Sequence, residues 1–398
     1  MKIKYGVVLF AIATLLAGCS GFWNLPTSST TTTATTLSSG VFYVLNQTTK
    51  QIVVYSISSG KLGQVSGSPY NLSSAPYCIA VAPGGGFLYV GTVSGIYLYT
   101  IGSGGALTIG NGGAVISSDI PTAMQVSGSW LIDAFSPAAG SVQMDAIPIN
   151  ASTGAYAGSG TPPYQAFNVT GASVYQMVLS PDATNLFVAL QTGGTIVVPF
   201  TAGNANPLGS SALVIPVANS GGAALSVAVD PTDRLFYIGE TLANSTASSG
   251  GLRIFNYSSL GTGTPRSAPT QVAGSPIASG GGSPRAILPE ASGEYIYVAN
   301  WQGNSGSGNI AWFPITVSGT TYTVAAGTTI ATGIEPYSLA EDSKNNFVLA
   351  ASFGDNTSAG GDPDLEAFTM SSGALTSAIT SATGTDPVGA IAVAALPQ

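Results

Sequence analysis

One pattern returns along this chain and constrains its fold more than any other feature. An apolar strand leads into a turn of Pro, Gly or Asp, and a second apolar strand follows. The unit reads "YCIAVAPGGGFLYVGT" from Tyr77, "YQMVLSPDATNLFVAL" from Tyr175, "LSVAVDPTDRLFYIGE" from Leu225, "RAILPEASGEYIYVAN" from Arg285 and "YSLAEDSKNNFVLAAS" from Tyr337. A shortened copy, "TAMQVSGSWLIDA", starts at Thr122. Third strands follow, such as "GIYLYTI" from Gly95, "TIVVPF" from Thr195, "LRIFNY" from Leu252 and "IAWFPI" from Ile310. The spacing, roughly fifty residues, is that of propeller blades. The two ends of the chain are complementary. "VFYVLNQTTKQIVVYSI" (41–57) is a second and third strand with no first, and "PVGAIAVAA" (387–395) is a first strand with nothing after it. Together they make a seventh blade and leave no open edge. Many strands are apolar on both faces, as strands packed between two neighbours must be. The expectation is an all-β, seven-bladed propeller over 41–398, its ring closed by pairing the C-terminal strand with the N-terminal blade. A pair of β-sandwiches explains neither the period nor the matching termini.

Composition narrows the chemistry. Only 7% of the 398 residues are charged, and 52 are glycine, which suits short strands joined by many turns. The formal net charge is -8, and no cluster of Lys or Arg breaks it, so nucleic acid is not expected as a partner. The chain has no histidine. That removes the commonest general base, the commonest metal ligand, and every Ser-His-Asp or Cys-His arrangement. No zinc, phosphate-loop or dinucleotide fingerprint stands out. "GGGSP" at Gly280 is a lone glycine run before a strand, so no cofactor is expected.

The N-terminus reads as an address. Lys2 and Lys4 precede the apolar run from Val7 to Leu16, which makes residues 1–18 a secretory signal, too short for an ordinary spanning helix. It ends in Leu16-Ala17-Gly18-Cys19, which resembles a bacterial lipobox. That resemblance implies lipidation of Cys19 and an anchor in the cell envelope; with Ser20 rather than Asp next, the anchor is in the outer membrane if the host is Gram-negative. Residues 19–40 include "TSSTTTTATTLSSG" (27–40), which has too little apolar surface to fold and reads as a tether. The other cysteine, Cys78, sits in an apolar strand and reads as a buried small hydrophobe. No disulfide is expected. The expected state is a monomer.

Aligning the copies places Tyr77, Thr122, Tyr175, Leu225, Arg285, Tyr337 and Val388 around one mouth of the ring. Second-strand ends add Asn46, Thr92, Asp133, Glu240, Asn300 and Trp301. Tyr77, Tyr175, Arg285, Asn300, Trp301 and Tyr337 make a candidate pocket for a polar or sugar-like ligand. The tyrosines alternatively wedge between blades. Three rim loops, 241–251, 301–309 and 353–364, are long and polar, as binding loops often are. Asp355, Asp362, Asp364 and Glu366 form an acidic cluster. Asp362, Asp364 and Glu366 offer oxygen ligands for calcium, but without EF-hand spacing, and a solvated acidic loop is the simpler reading.

The strand ends "YVLN" (43–46) and "YVAN" (297–300), with "GSPY" (67–70) and "GSPI" (274–277) at blade junctions, resemble YVTN-type propellers. They are also similar to the lactonase family of seven-bladed propellers, which includes propeller-type 6-phosphogluconolactonase. The resemblance spans nearly all of 41–395 and implies a lactonase-like fold. In that family a P-R-H motif opens a first strand and an N-E pair ends the next. Here the motifs read Pro284-Arg285-Ala286 and Asn300-Trp301, so the arginine and asparagine match while the histidine and the acid do not. Glu240, on the preceding blade, is the one acid placed near the same mouth. Arg285 and Glu240 are therefore the candidate catalytic residues, and whether the chain is an enzyme stays open. Three readings remain: a tethered propeller that binds an anionic sugar, a lactone or a protein partner; a lactone hydrolase; and a structural envelope or matrix component.

Overall fold

The computed structural model describes residues 40–245, 249–302, 308–319, 321–354, 363–381 and 385–397. The signal segment, Cys19 and the Thr/Ser-rich tether lie outside the described residues. Strands form seven antiparallel sheets arranged as the blades of a propeller. The innermost strands are Pro76–Val81, Ala123–Ser127, Gln176–Leu179, Ala224–Val229, Gly282–Pro289, Pro336–Glu341 and Ala390–Ala395. Each lies beside the next, and the last lies beside the first. Counting from the N-terminal sheet, we number the blades 1 to 7, so Arg285 is in blade 6 and Tyr337 in blade 7.

The seams between blades are the core. Seven separate apolar clusters fill seven seams. Blade 4 shows why its strands are apolar throughout. On the strand Asn185–Ala189, Leu186 and Val188 pack towards blade 3, while Phe187 and Ala189 pack towards blade 5. Period-two alternation thus serves two interfaces instead of one interface and water. Each fully buried Leu, Val or Phe contributes about 1.5–3 kcal/mol.

The junction motifs have a local job. In "GSPY" the Ser68 hydroxyl accepts the Val54 N–H at 2.8 Å, and in "GSPI" the Ser275 hydroxyl accepts the Ile254 N–H at 2.8 Å. Each serine satisfies a third-strand N–H that the outer edge leaves open. Outermost fourth strands complete the blades. They are short and partly exposed, such as Leu107–Ile109 and Leu213–Ile215.

Blade 1 is built from both ends of the chain. Ala390–Ala395 pairs antiparallel with Val41–Asn46, with Val44 opposite Val393 and Tyr43 opposite Ala394. Val393 and Ala390 also pack into the seam with blade 7, and Ile391 into the seam with blade 2. Deletion of residues 390–398 removes an innermost strand and bares two seams and a strand edge at once. The truncated protein is expected to lose its single cooperative calorimetric transition and to aggregate on size exclusion, whereas a melt like that of the full chain would show that closure contributes little.

Candidate functional site

The side chains at the mouth are placed by a backbone irregularity that recurs from blade to blade. In blades 1, 2, 5, 6 and 7 the register between first and second strand slips by one residue, and the extra residues are Ile391, Tyr77, Leu225, Arg285 and Tyr337. Blades 3 and 4 do the same through a shared acceptor. Thr122 N–H bonds Ala134 O while Ala123 pairs with Ala134, and Tyr175 N–H bonds Ala189 O while Gln176 pairs with Ala189. A bulge re-aims a side chain that regular pleating would send into a seam. The bulge position in blade 1 is thus Ile391, three residues beyond Val388, and its side chain stays packed against blade 2. The glycine- and proline-rich lead-in of that strand hid its register.

Three of these positions converge with Trp301. The Arg285 guanidinium carbon lies 4.2 Å from the centre of the Trp301 ring, 5.0 Å from that of Tyr175 and 5.5 Å from that of Tyr337. The Tyr175 and Tyr337 rings, from blades 4 and 7, stack at 6.3 Å. Trp301 meets Tyr337 edge-on at 5.6 Å, and Phe353 stacks behind Trp301 at 6.5 Å. Arg285 makes no hydrogen bond or ion pair with any described residue, and its Nε is buried without an acceptor. The Tyr175 hydroxyl is likewise buried without a partner. Burial lowers the pKa of Arg285, with Tyr337 and the charge of Glu335 acting the other way. Burial raises that of Tyr337, and Arg285 opposes it. The result is one cation whose faces lie against aromatic rings and whose hydrogen-bonding edge has no acceptor among the described residues. Tyr77 stands outside this group, 43% exposed. Phe353 was not foreseen from sequence; its signal was the aromatic immediately after the second strand of blade 7, matching Trp301 in blade 6.

Apart from Trp301, the second-strand ends lie inside the sheets. Asn46, Thr92, Glu240, Asn300 and Ser352 occupy equivalent register positions, and all are buried within the sheets. Asn300 donates to Ser279 O and to Asn309 Oδ1, both at 2.9 Å, and accepts from the Ser279 hydroxyl at 2.8 Å. Its amide is occupied in holding the turn into the third strand. Glu240 pairs with Arg253, not Arg285. Its Oε1 lies 2.8 Å from Arg253 Nη1, and its Oε2 accepts the Ala218 N–H at 3.0 Å. Arg253, three residues into "GLRIFN", was missed because nothing in the spacing pairs it with Glu240 across the turn.

The remaining acids are spread over other seams. Asp364 and Glu366 are buried, which overturns the solvated-loop reading for these two. Asp364 accepts the Gly389 N–H at 2.9 Å, and Glu366 accepts the Gly333 N–H at 2.7 Å and the Thr332 hydroxyl. Both fasten chain segments between blades. Asp355 and Asp362 lie outside the described residues, as do parts of all three long rim loops. Asp133 sits two residues short of the position matching Asn300, in the seam between blades 2 and 3, beside Asp119 and Asp145. Burial, then Asp145 and Asp119, push its carboxyl well above the usual range. Burial pushes Asp145 up to about 6. Cys78 is buried in the same seam, and burial, reinforced by Asp133, raises its thiol far above the reactive range.

No family model matches the chain, and no curated protein does. Solved structures do. A "putative 6-phosphogluconolactonase" from Bacteroides uniformis aligns with a TM-score of 0.63 at 16% identity, covering 89% of this chain and 99% of that one. A protein from Lactobacillus plantarum aligns at 0.59 and 17% identity, covering 90% and 99%. A functionally unknown protein from Desulfotomaculum acetoxidans aligns at 0.60 and 10% identity, covering 90% and 100%. At these identities the likeness is one of fold alone.

The buried Glu240–Arg253 pair gives a stability prediction. Glu240→Ala leaves Arg253 buried without its carboxylate and is expected to cost about 3–5 kcal/mol. Urea unfolding measures this. A loss below 1 kcal/mol would mean that Arg253 finds solvent or another acceptor.

Proposed function

We propose that this protein is an envelope-tethered binding propeller whose central mouth takes a small anionic ligand, a sugar acid or a sugar phosphate. The observation that carries the reading is Arg285, a cation held against three aromatic rings with no acceptor for its hydrogen-bonding edge among the described residues. A planar guanidinium edge suits a carboxylate or phosphate, which accepts two parallel N–H bonds. Flanking tyrosine and tryptophan faces suit the apolar side of a sugar ring. The aromatic neighbours fix the orientation of the fork before a ligand arrives, so little rotamer entropy is lost on binding. The lipobox-like "LAGC" and the tether that follows support anchoring through Cys19, with the propeller held away from the membrane as a monomer.

Hydrolysis of a lactone is the weaker reading. It requires a base to activate water, and the chain has no histidine. Trp301 stands where the resemblance would place an acid, and the one acid expected nearby, Glu240, is buried against Arg253. Arg285 alone could hold a lactone or steady an oxyanion, but without a base it leaves water unactivated.

Thermal shift with gluconate, glucuronate, 6-phosphogluconate and neutral glucose tests the binding reading. Wild type is expected to gain melting temperature with the anions and not with glucose, and Arg285→Ala to lose the response. The ligand-free stability of Arg285→Ala is expected to change by less than about 2 kcal/mol, because lost ring contacts are offset by relief of a desolvated charge. If no anion shifts wild type and Arg285→Ala melts far earlier, the cluster is a structural plug. Robust hydrolysis of 6-phosphogluconolactone that disappears in Arg285→Ala and Glu240→Gln would put the hydrolase first.

A further inference from the structure

Away from the mouth, the seam between blades 2 and 3 holds three carboxylates that the binding reading does not use. Asp133 lies on the second strand of blade 3, Trp130–Phe135, and Asp145 lies opposite it on the third, Ser141–Pro148. Both share the face of Leu131 and Ile147, which pack towards blade 2. Asp119 comes from the segment that leaves blade 2 and enters blade 3. One oxygen from each of the three lies within 4.8 Å of the others.

Several other buried acids have close partners. Glu240 has Arg253, Asp230 has Arg234, and Asp342 accepts N–H groups from Lys344, Asn346 and Phe347. Asp233 Oδ1 and Glu341 Oε1 are also buried without a hydrogen bond, but among the described residues the trio is where three carboxylates gather within reach of one ion. Neither ion pair among the described residues involves the trio. Asp145 accepts from Gln143 Nε2 at 3.1 and 3.2 Å, and Asp119 from the Ser117 hydroxyl. Asp133, with no exposed surface, receives one long N–H bond from Asp145 at 3.3 Å on Oδ1, and its Oδ2 has no partner. Leaving a buried carboxylate oxygen bare beside two more carboxylates is costly unless a proton or a cation joins them.

We infer that Asp119, Asp133 and Asp145 form a calcium site that fastens blade 2 to blade 3. Carboxylate oxygens alone suit a hard divalent cation. Two oxygens on one ion at about 2.4 Å each can be at most about 4.8 Å apart, and each pair in the cluster meets that limit. The Asp133 Oδ2 would gain the partner it lacks. Asp119 is only partly buried and marks the side from which the ion and its remaining waters enter. The ion would tie the linker between the blades to two strands of blade 3, so its effect is on stability and not on the Arg285 cluster.

Calorimetry and isothermal titration with calcium chloride, after EDTA treatment and dialysis, test this on the mature chain. Wild type is expected to bind one calcium ion and to melt several degrees higher with it. Asp133→Asn and Asp119→Asn are each expected to lose the titration signal and the thermal gain. Asp119 is the gentler site; its variant decides the matter if Asp133→Asn fails to fold. Absence of calcium binding by wild type overturns the proposal. So does binding that survives both substitutions, which would place the ion elsewhere.

Discussion

Every blade of this propeller depends on having a neighbour on each side. The second strands carry apolar residues on both faces because each face belongs to a different seam, as Leu186 and Phe187 show in blade 4. A blade removed from the ring would expose two such faces, so none is stable by itself in the way a two-layer sandwich is. The pairing of Val41–Asn46 with Ala390–Ala395 makes this mutual dependence circular. Stability is therefore a property of the closed ring, and a buried charge such as Glu240 is accommodated by pairing with Arg253 on the neighbouring strand of its own blade.

The mouth follows from the same arrangement. Regular strands would send every side chain into one seam or the other. The bulge at the start of the first strand frees some of these residues from the seams, and the ring brings three of them together. Three of the bulge positions carry Tyr175, Arg285 and Tyr337, and their side chains meet although they come from blades 4, 6 and 7. The cluster is built from residues far apart in sequence, yet each is fixed by a local device of a few residues.

That division explains what could be read from the sequence. Blade number, the closing strand and the shared face of Tyr175, Arg285, Trp301 and Tyr337 followed from the repeat, because strand order and bulge position recur at the same point of each copy. Copies that depart from the pattern misled. Blade 1 begins its first strand after Pro387 and Gly389, and its bulge residue is Ile391 instead of Val388. Blade 3 is short, which put Asp133 at a strand end when it lies two residues inside. Most fourth strands left little trace, since an exposed strand of two to four residues, such as Leu107–Ile109 or Leu213–Ile215, has little apolar alternation to show. Partnerships across a turn were invisible for another reason. Glu240 with Arg253, and Asn300 with Ser279 and Asn309, depend on side-chain direction, which periodicity does not report. The functions of Glu240 and Asn300 were placed at the mouth on position alone, whereas their hydrogen bonds hold the turns behind it.

The closing strand also has a consequence in time. The chain is made from its N-terminus, and Val41–Asn46 is among the first propeller segments to emerge while its partner is among the last. Six blades can begin to pair locally as they appear, but blade 1 waits with an unpaired edge until almost the whole chain has been delivered. An edge of that kind, rich in Val, Tyr and Phe, is a template for pairing with the wrong strand. The interval between synthesis of the two ends, more than the strength of the finished ring, then sets how much of the protein is lost before it ever closes.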